Sequence, residues 1–142
     1  MKIWHEIKSE FRTDGSLRDI YVENINSTVW EAFIKSVKNS EYKIQFNHGE
    51  VVKILPNTFT EIKELRETEH TTLWLWLSKE IQINCHFFID SEIELDVSPS
   101  DIQDEVSYLK LINFMQWLSS ALKHEVKLTH EGSQDQVILS VG

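Results

Sequence analysis

From Thr71 to Val97 the chain reads TTLWLWLSKEIQINCHFFIDSEIELDV, and its apolar positions recur at every second residue. Successive strand side chains point to opposite faces, so this period predicts three consecutive strands. In the first run Leu73, Leu75 and Leu77 share one face, and Trp74 and Trp76 share the other. In the second, Ile81, Ile83, Cys85, Phe87 and Ile89 oppose Gln82, Asn84, His86 and Phe88. In the third, Ile93, Leu95 and Val97 oppose Glu92, Glu94 and Asp96. Short polar links at Ser78-Lys79 and Asp90-Ser91 suit antiparallel connections. The aliphatic faces combine into one side of a sheet that a helix layer should cover, each large side chain buried there contributing about 1.5–3 kcal/mol. The opposite side is mixed, with two tryptophans, a histidine and a row of carboxylates.

Elsewhere the period changes. Ile3 to Phe11 alternates weakly and Thr13-Asp14-Gly15-Ser16 is a turn cluster, so a first hairpin with the Leu17–Asn24 strand is expected. Val29, Trp30, Phe33, Ile34 and Val37 follow helical spacing behind the caps Asn26, Ser27 and Thr28, which predicts a helix over about residues 26–39. A hairpin through Asn47-His48-Gly49 follows and stops at Pro56. Thr58 to Glu61 has capping-box spacing and opens a short polar helix. Ser98, with Pro99 at the first helical position, predicts the longest helix, about 98–123. Its stripes conflict. Leu111, Phe114, Met115, Leu118 and Leu122 lie on one side, and Ile102, Val106 and Leu109 roughly opposite, at about 100° per residue. A kink, a position between two layers, or an apolar patch left for a partner would each account for this. Val126–Thr129 and Val137–Val141 read as closing strands. The expected fold class is α+β: one domain spanning 1–142, its mainly antiparallel sheet packed by two main helices and one short one.

Composition narrows the partners. Lys and Arg number 14 against 23 Asp and Glu, a formal net charge of −9. Nucleic-acid binding needs clusters of basic residues to neutralise phosphates, and none are present. An acidic balance permits steering toward a basic protein, although it also serves solubility. The single cysteine, Cys85, excludes an internal disulfide framework and reads as a buried thiol. The first residues, MKIWHEIKSE, have no apolar signal region, and no stretch is long and apolar enough to cross a bilayer. A cytoplasmic location is expected.

No catalytic motif stands out. The six histidines are scattered without zinc-type spacing, and four glycines form no phosphate loop, so no cofactor and no metal are expected. Glu92, Glu94 and Asp96 are the sharpest polar feature. Carboxylates in line on an extended strand lie about 6–7 Å apart and diverge, which suits a metal poorly. A solvated strand face is the simplest account, and a basic protein partner is the functional one. Trp74, Trp76, His86 and Phe88 form a second candidate group. A strand apolar on both faces is ordinarily covered twice, so a second layer over the tryptophans is expected. Left open, they would make an aromatic platform or line a small-molecule pocket.

Three segments together resemble a family of small, acidic, cytoplasmic bacterial α+β proteins, some of them associated with toxin–immunity systems. They are Leu17-Arg18-Asp19-Ile20-Tyr21-Val22 with Trp30 beyond it, Cys85-His86-Phe87-Phe88 leading to Glu92–Asp96, and Phe114-Met115 through Leu118, Leu122, Val126 and Thr129-His130-Glu131. The resemblance implies a non-enzymatic, immunity-type binder. The expectation is a protein-binding module that meets a basic toxin domain through Glu92, Glu94 and Asp96 with Ile102, Val106 and Leu109. The alternatives are a small-molecule binder or hydrolase with a pocket at Trp74, Trp76, His86 and Phe88, and a homodimer formed through the apolar helix stripe.

Overall fold

The computed structural model describes residues 2–142. Eight strands form one sheet: β1 (Arg18–Val22), β2 (Lys43–His48), β3 (Val51–Lys53), β4 (Thr71–Ser78), β5 (Ile81–Cys85), β6 (Ile93–Val97), β7 (Val126–His130) and β8 (Ser133–Val141). Their order across the sheet is β3-β2-β4-β5-β6-β1-β7-β8, and every pairing is antiparallel. Four helices accompany it: α1 (Trp4–Ile7), α2 (Ser27–Asn39), α3 (Phe59–Arg66) and α4 (Glu105–Leu122). The fold is α+β. Among the described residues, no helix is long and apolar enough to cross a membrane.

The helices lie on the aliphatic side of the sheet. Asn26 caps α2 by accepting from the Val29 amide, and Trp30, Phe33, Ile34 and Val37 turn inward. They meet Leu73, Leu75, Ile83, Cys85 and Leu95 from the central strands and Leu111, Phe114, Met115 and Leu118 from α4 in one core. Thr58 caps α3 through the Glu61 amide, and the Thr58 hydroxyl in turn donates to the Glu61 carboxylate.

Three expectations are corrected. The helix predicted over 98–123 is two pieces. Ser98 caps a short 3-10 turn, Pro99–Asp101, and the chain breaks before Asp104 caps α4. The cause is a second capping box: Asp104 accepts from the Ser107 amide, and the Ser107 hydroxyl faces the Asp104 amide. The break rotates Ile102 into the core at 0% exposure while Val106 and Leu109 stay exposed, which removes the conflict between the stripes.

The N-terminal hairpin does not form. Trp4–Ile7 is helical and Lys8–Phe11 continues as a 3-10 turn, because Trp4, Ile7 and Phe11 recur at helical spacing and pack inward together. β1 pairs instead with β6 and β7. Finally, β5 ends at Cys85. Phe87 takes a left-handed backbone (φ 61°) that drops its ring into the core, leaving Phe88 and Ile89 exposed. The carbonyls there serve side chains and not a ladder: Arg66 Nη1 donates to Phe87 O and Phe88 O, and Trp30 Nε1 donates to Ile89 O.

Candidate partner-binding face

The alternation that buries Leu73, Ile83, Leu95 and Ile20 sends the intervening residues to the side without helices. The pairing registers then place them in rows across the strands. One row runs Gln45, Trp74, Asn84, Asp96, Asp19, Thr129. Beside it lie His86, Glu94, Tyr21 and Lys127, and beyond these Glu92 and Glu23. Among the described residues no helix covers Trp74 and Trp76, so the expected second layer does not form there. Both are half-buried, edge to face with centroids 6.1 Å apart, and Lys43 Nζ sits 5.1 Å over the Trp76 ring.

The middle of this face is closed. Asp19, Tyr21 and Asp96 are only 5%, 3% and 6% exposed. Asp19 and Asp96 stand directly opposite each other on β1 and β6, an arrangement that like charges disfavour unless each is hydrogen-bonded. Both are. Asp19 Oδ2 accepts from the Tyr21 hydroxyl (3.2 Å) and the Gly132 amide (2.8 Å). Asp96 accepts from Asn84 Nδ2 (2.8 Å) and lies 3.1 Å from His86 Nε2. Gln82 donates to Asn84, extending the chain of bonds along β5. His86 stacks on Phe88 with centroids 5.2 Å apart.

These contacts shift the titrating groups in one direction. Burial raises the Asp19 carboxyl above its ordinary value, and Asp96 and Glu131 add like-charge repulsion. Burial also raises Glu94, with Asp19, Glu92 and Asp96 adding to it. The hydrogen bond to Asp96 raises His86. A carboxyl whose folded value is raised opposes folding while ionised, and that opposition is relieved as pH falls through the folded value. A raised histidine contributes stability fully below its unfolded value, which is lost as pH rises through the folded one. His86 therefore adds stability as pH falls toward the ordinary histidine value of about 6.5, and Asp19 and Glu94 add to it as pH falls toward the ordinary carboxyl range of about 4. Asp14, held low by hydrogen bonds from Ser16, and Asp104, held low by Ser107, act oppositely, their contribution lost only in stronger acid. The thermal midpoint should accordingly peak on the acid side of neutrality, and Asp19→Asn should flatten the slope. A midpoint higher at pH 8 than at pH 5.5 would refute this.

The structure separates the residues singled out in the sequence. Glu92 and Glu94 are half-buried on the helix-free face, whereas Asp96 is sealed beneath its partners. Ile102 is core, so Asp96 and Ile102 are both corrected as contact residues. Val106 and Leu109 are exposed on α4, in the helix layer, and do not share a surface with the carboxylates. Trp74, Trp76, His86 and Phe88 do not converge on one pocket. Trp76 lines a shallow depression of about 350 Å³ with Lys43, Ser78 and Lys79, and the other three are not among its walls. Cys85 faces the core, where burial pushes its thiol up. Among the described residues, no group of three or more His, Cys, Asp or Glu is placed to hold a metal ion.

Asp19, Tyr21, Asn84 and Gln134 were missed. The alternation of Asp19-Ile20-Tyr21 carries the signal, but it becomes informative only once β1 is known to lie beside β6. Comparison with protein-family models, with curated proteins and with solved structures returned no match.

Proposed function

We propose that this chain is a non-enzymatic protein-binding module that docks a basic partner, of the toxin-domain kind, against the helix-free face of its sheet. The observation that carries this reading is one carboxylate without a cationic partner on the same sheet face as two aromatic side chains. Trp74 and Trp76 lie half-buried on the same face as Glu94, and among the described residues no lysine or arginine pairs with Glu94. Aromatic anchors flanked by charge supply affinity and steering respectively. The segments behind the family resemblance support it too, because Arg18–Val22, Cys85–Phe88 and Glu92–Asp96 belong to the neighbouring strands β5, β6 and β1 or to the residues flanking them.

Calorimetry against the products of adjacent genes tests the proposal. A basic partner should bind at micromolar or tighter affinity, more weakly as salt rises. The double reversal Glu92→Lys with Glu94→Lys should weaken it by about tenfold or more, equivalent to about 1.4 kcal/mol. Absence of heat at micromolar concentrations, or indifference to the reversal, would count against it.

A further inference from the structure

The β7–β8 hairpin shifts register twice, and the larger shift lies next to its turn. His130 faces Ser133, but the next residue back, Thr129, faces Val137. Residues 134–136 consequently have no partners in the ladder and bulge from it. What holds them is Gln134, flanked by further bonds to carboxylates on either side of the bulge. Gln134 Nε2 donates to Glu23 Oε2 (3.1 Å) and to Glu92 Oε1 (3.2 Å), bridging β1 and β6 from above. The Gly132 amide donates to Asp19 and the Leu17 amide to Glu131. Lys127 Nζ takes the other oxygen of Glu23. In the adjoining row lies Tyr21, almost fully buried on a face that no helix among the described residues covers. Asp135, Gln136 and Val137 remain exposed.

We infer that residues 133–137 form a strap that the chain lays over its own carboxylates, and that a basic partner must displace it to reach Glu23 and Glu92. Gln134 is a neutral donor between two anions, a position where a guanidinium or ammonium group makes stronger, charge-assisted bonds. An incoming cation therefore has an advantage over the side chain already there. The displacement step rests on the docking face proposed above; the strap rests only on the bonds just described.

Amide hydrogen exchange on the full chain tests the strap. Gln134→Glu sets a third carboxylate between Glu23 and Glu92 and should lower protection of the Gly132 amide, which donates to Asp19, by about tenfold, while Gln134→Lys should raise it, with β1 and β6 unchanged in both. A loop that merely fills space would not respond with opposite signs. Equal protection in the two variants and the parent would overturn the strap. The displacement step is tested with a nona-arginine peptide as probe, comparing the parent with Gln134→Ala, which removes the bridge without adding charge. Binding should tighten severalfold in the variant. An unchanged affinity would overturn displacement. Failure of the peptide to bind either protein would sink the docking face, while the exchange contrast would still uphold the strap.

Discussion

Replacing Arg18 by alanine is expected to cost about 3–5 kcal/mol, a large share of the stability of a domain of this size. The side chain is 1% exposed, and its guanidinium is spent almost entirely on backbone. Nε donates to Glu10 O at 2.7 Å, Nη2 to Arg12 O at 3.2 Å, and Nη1 to Leu17 O at 3.0 Å and Ser16 Oγ at 2.8 Å. Among the described residues the one carboxylate paired with it, on Asp14, is half exposed and contributes less than the carbonyls do. Arg18 thus fastens the N-terminal helical segment and the Asp14 turn to the start of β1. Alanine leaves several part-buried acceptors without their donor. Arg18→Lys should recover less than half of the loss, because an ammonium group has three donors and no planar fork. Urea unfolding of the three proteins decides the matter, and a loss below about 1 kcal/mol for the alanine variant would show that these bonds are replaceable.

Trp30→Ala is the second large effect, expected at about 3–5 kcal/mol. Trp30 is 0% exposed and its ring lies 4.9 Å from Phe59, 5.5 Å from Phe87 and 5.7 Å from Phe33, between centroids. Its indole nitrogen holds the Ile89 carbonyl. The variant loses packing between α2, α3 and the end of β5 together, so the left-handed turn at Phe87 should loosen as well. Trp30→Phe keeps much of the volume and should cost about half as much or less. Equal losses for the two variants would show that the indole hydrogen bond, and not the ring volume, dominates.

The parts of this fold that could be read in advance are those set by local period. The strands from Leu73 to Val97, the inward stripe Trp30-Phe33-Ile34-Val37 and the cap at Thr58 depend on neighbours within a few residues, and all three form. The misread places depend on competition or on distance. At Ser98 two caps contend for one helix, and the later one, built from Asp104 and Ser107, wins without the usual glutamate. At Phe87 a residue with a side chain adopts a backbone normally left to glycine, held there by Arg66 from another element. The candidate site shows the same division. Alternation assigns Glu92, Glu94 and Asp96 to one face, yet which of them reaches water depends on Asp19 and Gln134, which arrive from strands far away in the chain, and on His86, just past the end of β5. Asp96 bonds Asn84 and His86 from the preceding run, which alternation places on its face, but Asp19 opposite it comes from β1, which no spacing rule connects to it.

The placement of β1 between β6 and β7 has a consequence for biosynthesis. Ile20 finds its neighbours in Leu95 and Leu128, so β1 stays unpaired until β6 and β7, far later in the sequence, have been synthesised. Closing such long intervals is entropically slow, which places this chain among domains that fold in about milliseconds to seconds. While it waits, the nascent segment around Ile20 and Val22 is the part that a chaperone would shield.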